Sequence, residues 1–239
     1  YRLLGDELEG PRGRIYLIKQ VVEGQAATQR TQAHLDRCLT CRSCEAACPA
    51  EVQFGRLLDL GRALLEARLK RPLKERLALR LLRLILPHRR RFAWVLWLAR
   101  CGRGFMPARL RHKLPKRRPP TPPAKTIHPR RMLVLGGCVQ PVLAPDTNTD
   151  LGRVLAQLGI TLVQPAAAGC CGAITQHLGF PEEARRYARR NIDIWWPYIM
   201  EGAEALIVSA SGCGLFVKHY DHLLQNDPVY AERAARIAA

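Results

Sequence analysis

Apolar positions recur along this chain with two different periods, and the change of period divides it. From about residue 12 to 23, Ile15, Ile18 and Val22 fall on one face of a predicted helix that follows a polar Gly/Pro turn, and a second helical stretch runs through His34 and Leu35. Leucines then return at helical spacing through Leu57, Leu58, Leu64, Leu65, Leu69, Leu77, Leu81 and Leu84, which predicts amphipathic helices broken near Pro72 and Pro87. Residues 88–100 hold an apolar run with Trp94 and Trp97 bracketed by arginines, a further helix. Beyond residue 132 the pattern alternates: 132–135, 160–163 and 205–208 read as strands, separated by helices over 150–158 and up to Met200. Between the two patterns, residues 115–129 combine proline with positive charge and predict an extended linker.

The cysteines fall on the joints of this pattern. Cys38, Cys41, Cys44 and Cys48 are spaced C-x2-C-x2-C-x3-C-P, a ferredoxin-type signature in which three close thiols can share one [4Fe-4S] cluster. The longer step before Cys48 and the following Pro49 turn the fourth sulfur away, toward a second cluster in two-cluster ferredoxins. Structural zinc and a redox dithiol share the opening C-x-x-C, but zinc sites separate their ligand pairs by a longer loop. In the second half, Cys138, the pair Cys170-Cys171 with Gly172, and Cys213 each follow the C-terminal end of a predicted strand, the edge where open parallel sheets bind ligands. They predict a convergent metal or redox centre, against the alternative of structural thiols. Gly172 is expected to let backbone and helix N-termini approach an anionic group. Cys101 has no partner spacing and reads as a buried, inert thiol, and Arg12 and Arg14 as exposed arginines at a helix start.

Charge changes the picture of the middle. The formal net charge is +18, and residues 56–131 hold 23 Lys or Arg against Asp59, Glu66 and Glu75, while the rest is nearly neutral. Such a segment implies an anionic neighbour: phospholipid, an acidic subunit or nucleic acid. The apolar run in 88–100 is too short to span a bilayer, which needs ~20 residues. An interfacial helix and a helix buried against the cluster domain both fit it. Nucleic acid is disfavoured, because the linker has no aromatic residues and no recognisable nucleic-acid module adjoins it. Nine cysteines, eight of them in metal-ligand groups, without an apolar leader, imply a reducing, cytoplasmic compartment, with peripheral contact at the inner membrane face as an extension.

The segment from Gly5 to Lys19 (GDELEGPRGRIYLIK), followed by Leu35-Asp36-Arg37-Cys38-Leu39-Thr40-Cys41 and on to Cys48-Pro49, resembles the iron-sulfur subunit of bacterial glycolate oxidase. In that family a first C-x2-C-x2-C-x3-C-P motif lies upstream of the position matching Tyr1, so the resemblance implies a fragment. The second half resembles the cysteine-rich CCG domain shared with heterodisulfide reductase subunits: Cys138 matches the first cysteine, Cys170-Cys171-Gly172 the pair, and Cys213 the last. Ala210 stands where the fullest form, C…CCG…C-x-x-C, has a fifth cysteine, and one copy of the repeat is present where such families carry two. Four ligands disfavour a heterodisulfide-type centre and leave a four-thiolate centre.

The expected fold is α+β. A mainly helical ferredoxin-type domain (1–55) leads to a basic helical segment and linker (56–131), and then to a cysteine-rich α/β domain with a parallel sheet (132–239). The resemblance implies an electron-transfer subunit that takes electrons from flavin-containing partner subunits, which oxidise glycolate to glyoxylate, and passes them toward a membrane acceptor. It implies two 4Fe-4S clusters in the intact ferredoxin-type domain, a further centre in the CCG domain, and FAD on the partners only. Leu135-Gly136-Gly137-Cys138 lacks the spacing of a dinucleotide loop, so no substrate site is expected on this chain. The alternatives are iron-sulfur subunits of anaerobic glycerol-3-phosphate dehydrogenase, lactate utilisation or heterodisulfide reductase. From a different class, a basic protein with structural clusters that docks on membrane or nucleic acid also fits.

Overall fold

A computed structural model describes residues 5–112, 114, 115, 119, 121, 122 and 127–239. Much of the proline-rich stretch 115–129 lies outside the described residues. The fold is α+β. The chain divides into two compact units, one of residues 1–80 with 175–181 and the other of 81–174 with 182–239, so the basic segment is split between them.

The first unit is helical: α1 (Pro11–Val22), α2 (Gln29–Asp36), the single turn α3 (Ser43–Ala46) and α4 (Phe54–Arg68), with a short 3-10 helix, Glu7–Glu9, ahead of α1. Pro11 suits the first turn of α1, where its missing N–H costs nothing. Thr28 caps α2 by accepting from the Thr31 amide at 3.1 Å. The inward face of α1 is Arg14, Leu17, Ile18 and Val21. It is one register away from the predicted Ile15/Ile18/Val22 stripe, and Val22 is 58% exposed. A polar residue in that stripe caused the misreading: Arg14 is buried rather than exposed, while Arg12 is exposed as expected. Ile18, Val21 and Leu35 pack with Phe54, Leu58 and Leu65 of α4. Helices α1 and α4 approach so closely at Gly61 that a Cβ there would lie 2.7 Å from Ile18 Cγ1.

Two helices follow with few inward residues. Helix α5 (Leu73–Ile85) buries none of its side chains, and α6 (Arg89–Cys101) buries only Leu96. The breaks fall near Pro72 and Pro87 as the pattern predicts. The reading of 88–100 as a buried helix does not hold, because Trp94, Trp97 and Leu98 are each more than half exposed. Cys101, predicted buried, is exposed at the end of α6. A one-turn helix, α7 (Ala108–Arg111), precedes the second unit's sheet.

That sheet has three parallel strands, β1 (Arg130–Val134), β2 (Ile160–Val163) and β3 (Leu206–Ile207), in the order β2-β1-β3. Arg130 pairs with Ile160 and Leu133 with Leu206. Between the strands run α8 (Gln140–Leu143), α9 (Asp146–Gln157), α10 (Ala173–His177) and the twenty-residue α11 (Pro181–Met200); α12 (Ser211–Val217), α13 (Tyr220–Leu223) and α14 (Ala231–Ala238) close the chain. The core gathers Leu133, Leu135, Ala184, Ala188, Ile192, Trp195, Phe216 and Tyr220. Alanines at 184 and 188 allow α11 to lie close to the loop after β2. With β1 central and its neighbours on opposite sides, the strand order reverses at β1/β3, and all the cysteine loops leave the C-terminal edge there.

Candidate metal centres

In the first unit, Cys38, Cys41 and Cys44 are brought together on one loop by an unusual backbone. Thr40 and Arg42, on either side of Cys41, both take φ of +55°, and Glu51 takes +50°. Left-handed conformations at non-glycine residues cost ~1–3 kcal/mol each and persist where the surroundings impose them. Arg62 of α4 imposes this one: its guanidinium donates to Leu35 O at 2.8 Å, Cys38 O at 2.7 Å and Thr40 Oγ1 at 3.0 Å. Burial works against the Arg62 charge, and the nearby Cys38 sulfur and Asp59 carboxylate favour it. Gly55 leaves room for Arg42, since a Cβ there would sit 2.5 Å from Arg42 Nε. Alternating backbone conformations of this kind turn successive amides inward, a concavity suited to anions and iron-sulfur groups.

Cys38 and Cys44 pack against the core, whereas Cys41 is exposed. The amide and hydroxyl of Ser43 pull the Cys41 thiol below its usual range. Burial raises Cys44, and the neighbouring charges of Cys38, Glu45 and Cys41 raise it further, which places the first three sulfurs in one electrostatic neighbourhood. Cys48 stands beyond the end of α3, its amide bonded to Glu45 O and its carbonyl to the Glu51 amide, both at 3.1 Å.

The sequence did not single out the ion network beneath this loop. Glu9 accepts from Arg14 Nη2 at 2.6 Å and Arg37 Nη1 at 2.7 Å and lies 2.9 Å from His34 Nδ1, and Arg14 also donates to His34 O at 2.8 Å. Among the described residues, Asp6, Glu9 and His34 are the one group of three metal-type donors within 4.8 Å of one another, but the arginines already occupy the Glu9 oxygens. This network holds the first turn of α1 against α2.

In the second unit, Cys138, Cys170, Cys171 and Cys213 meet, although 75 positions separate the first from the last. Their sulfurs form a hydrogen-bonded chain: Cys138 to Cys170, Cys170 to Cys171, and Cys171 to Cys213. Cys170 is held well below the usual thiol range by the hydrogen bonds from Cys138 and then Cys171, with the Gly172 amide at 3.4 Å adding to them. Cys213 is lowered by Cys171. Cys138 and Cys171 rise correspondingly, as buried thiols that give their protons to these bonds. Deprotonation is thus favoured at Cys170 and Cys213 over Cys138 and Cys171.

The frame around it is polar, and Asn148, Asn191 and Tyr220 in it are buried. Asn191 of α11 donates to Cys170 O at 2.9 Å and accepts from the Gly169 amide at 3.3 Å, and Tyr220 donates to Cys171 O at 2.6 Å. Asn148 links the ends of all three strands, reaching Leu135 O and Gln164 Oε1, both at 3.4 Å, and lying 2.8 Å from the Ser209 hydroxyl. Gly172 takes φ +97°, and a Cβ there would lie 3.0 Å from Ala184 O and 3.3 Å from the Phe216 ring. The helix after it, α10, is a short one of five residues. Asn191 and Tyr220 gave no signal in the sequence, because each is a lone polar residue in an otherwise ordinary helical stretch.

The donor set is all sulfur. A tetrahedral zinc ion with Zn–S of ~2.3 Å sets its sulfurs roughly 3.8 Å apart, all four mutually. Among the described residues, no three cysteine sulfurs lie within 4.8 Å of one another, a more open arrangement than a single tetrahedral ion requires.

A family profile described as a cysteine-rich domain, CCG, matches residues 132–218. Over its whole length the chain is 50% identical to the glycolate oxidase iron-sulfur subunit of Escherichia coli (strain K12), covering 59% of that protein. The chain is similar along its whole length to a glycolate oxidase iron-sulfur subunit. Over 96% of its length it is 29% identical to the probable glycolate oxidase iron-sulfur subunit of Bacillus subtilis (strain 168), covering 57% of that protein. A shorter likeness, 28% identity over 43% of the chain, is to lactate utilization protein A of an Exiguobacterium species, covering 40% of that protein. The chain therefore spans less than two thirds of the length of these relatives. No solved structure matches. Among the described residues, no helix is long and apolar enough to cross a membrane.

Proposed function

We propose that this chain is part of the electron-transfer subunit of a glycolate-oxidising oxidoreductase, and that its two cysteine groups hold iron-sulfur centres. The single observation that carries this is the convergence of Cys138, Cys170, Cys171 and Cys213 from three strand-end loops into one buried, sulfur-only group. Such a centre supplies one-electron storage with little rearrangement. The chain's own residues do the remaining work. Arg62 fixes the Cys38–Cys44 loop, Asn191 and Tyr220 fix the Cys170-Cys171 peptides, and backbone amides direct partial positive charge at the sulfurs. Rigid ligands keep the reorganisation small when charge arrives or leaves.

In this reading Cys38, Cys41 and Cys44 hold three corners of a 4Fe-4S cluster, and Cys48 serves a second one. The electron donors are flavin-containing partner subunits that oxidise glycolate to glyoxylate, and the acceptor lies in the membrane. The exposed leucines of α5 and tryptophans of α6, set among arginines, support peripheral contact with an anionic bilayer at its cytoplasmic face. The whole-length 50% identity favours glycolate over the lactate-utilisation alternative, whose likeness covers 43% of the chain.

The test is anaerobic iron and sulfide analysis with EPR on the full-length protein, comparing Cys41→Ser, Cys170→Ser and Cys101→Ser with wild type. The expected result is loss of one reduced-cluster signal in Cys41→Ser, lower iron in Cys170→Ser, and no change in Cys101→Ser. Wild-type iron and spectra in both of the first two variants would remove the proposal.

A further inference from the structure

The second unit contains an open cleft of about 740 Å3 on the outer side of the thiol group. One wall is His88 with Arg89, Arg90 and Arg91 of the first turn of α6; the other is Arg190 of α11 and the backbone of 136–137 and 166–169, ending at Cys170. Among the described residues, no acidic side chain lines it. Four arginines from two separate helices therefore line a common space, of which Arg91 also donates to Leu84 O at 3.0 Å.

Three further features make this a built site. The amides of the first turn of α6 have no side-chain cap, so their partial positive charge adds to that of the arginines above them. Arg190 is held in place by donating to Ala167 O at 2.7 Å, on the loop that leads to Cys170. Arg83 of α5 pairs with Glu183 at 2.5 Å, seven residues before Arg190 on α11, which ties the helix preceding α6 to α11.

Cys170 lines the cleft, whereas Cys138, Cys171 and Cys213 do not, so the cleft is not the space enclosed by the four sulfurs. Small residues over 166–169 leave its floor open to a ligand of modest size, and the volume lies within the range of small-molecule sites. Guanidiniums and free helix amides both select oxygen-rich anions, which they can grip in bidentate fashion.

We propose that this cleft binds a small organic anion, bearing a carboxylate or phosphate group, against the outer side of Cys170. The site does not depend on the electron-transfer reading, since its binding groups are arginines and amides. A ligand held there would stand between solvent and the cysteine group, where its negative charge acts directly on the sulfurs.

The experiment is isothermal titration of the full-length, metal-loaded protein under anaerobic conditions, with inorganic phosphate and with malonate as separate probes and ionic strength held constant with chloride. Saturable binding of one equivalent is expected, and the stronger probe identifies the anchoring group. Arg90→Ala and Arg190→Ala should each weaken it about tenfold, the loss of one charged hydrogen bond. Arg190→Lys should retain an intermediate affinity, and Arg80→Ala, on the exposed side of α5, should leave it unchanged. Heat that follows ionic strength alone, equal weakening by Arg80→Ala, or binding confined to metal-depleted protein would each overturn the proposal, the last because the cleft would then be room for the metal centre itself.

Discussion

At the scale of single residues, the two cysteine groups depend on polar side chains that bond the backbone next to the sulfurs. Tyr220 is completely buried, and its hydroxyl meets Cys171 O while also receiving the Asn191 amide at 3.3 Å. Tyr220→Phe keeps the ring in its packing with Trp195 and Phe216 but leaves a buried carbonyl unpaired. A stability loss of about 1–3 kcal/mol is expected by denaturant titration, with iron content reduced less than in Cys170→Ser. Glu9 makes the second residue-scale prediction. Its carboxyl is held below the ordinary range, chiefly by Arg37, with His34 and Arg14 contributing. A lowered folded value means the stabilisation is complete above the unfolded value of ~4.3 and is lost as pH falls through the folded one. Glu9→Gln should therefore lower stability at pH 7 by roughly 2 kcal/mol, and the gap to wild type should close as thermal unfolding is followed down toward pH 3. A constant gap would show that the carboxylate charge is not what Arg14 requires.

At the scale of elements, the cysteine positions were legible because strand ends and cysteine spacing are both local signals, and the parallel strands appear within two residues of where alternation placed them. The face of α1 was not legible, because the pattern assumes that inward positions are apolar while Arg14 faces inward to reach Glu9 and His34. The same assumption concealed Arg62, counted only as one basic residue of 56–131 although it braces the Cys38 loop. Helices α5 and α6 err in the opposite direction. Their apolar residues lie outward: Leu73, Leu77, Leu81 and Leu84 along one stripe of α5, and Trp94, Trp97 and Leu98 on α6. Such faces, edged with arginine, lie in a head-group layer without crossing it. Co-sedimentation with phosphatidylglycerol-containing vesicles should be strong at low salt and weak with phosphatidylcholine alone. The double variant Trp94→Ala/Trp97→Ala should bind at least about tenfold more weakly, with its charge unchanged. Equal binding by the double variant would assign the interaction to charge alone.

At the scale of the whole molecule, the +18 net charge is less free than composition suggests. Arg71 is engaged by Asp36 and Glu66, each at 2.6 Å, and Arg83 by Glu183, so part of the basic segment is committed to holding its own unit together. Arg89, Arg90 and Arg91 instead surround the cleft beside Cys170. The bracing residues share one reason for having been invisible: each acts on a partner 20 or more positions away, and nothing local marks that pairing. The two cysteine groups differ in the same respect. Cys38, Cys41, Cys44 and Cys48 leave the ribosome within eleven residues of one another, so their loop is complete almost as soon as it is made. The thiols at 138, 170, 171 and 213 become neighbours only after the last strand has been synthesised and has paired with the first. Until then the cell carries a nascent chain with unguarded sulfur, and under the proposed function the group these thiols hold is delivered to a finished sheet rather than to an emerging one.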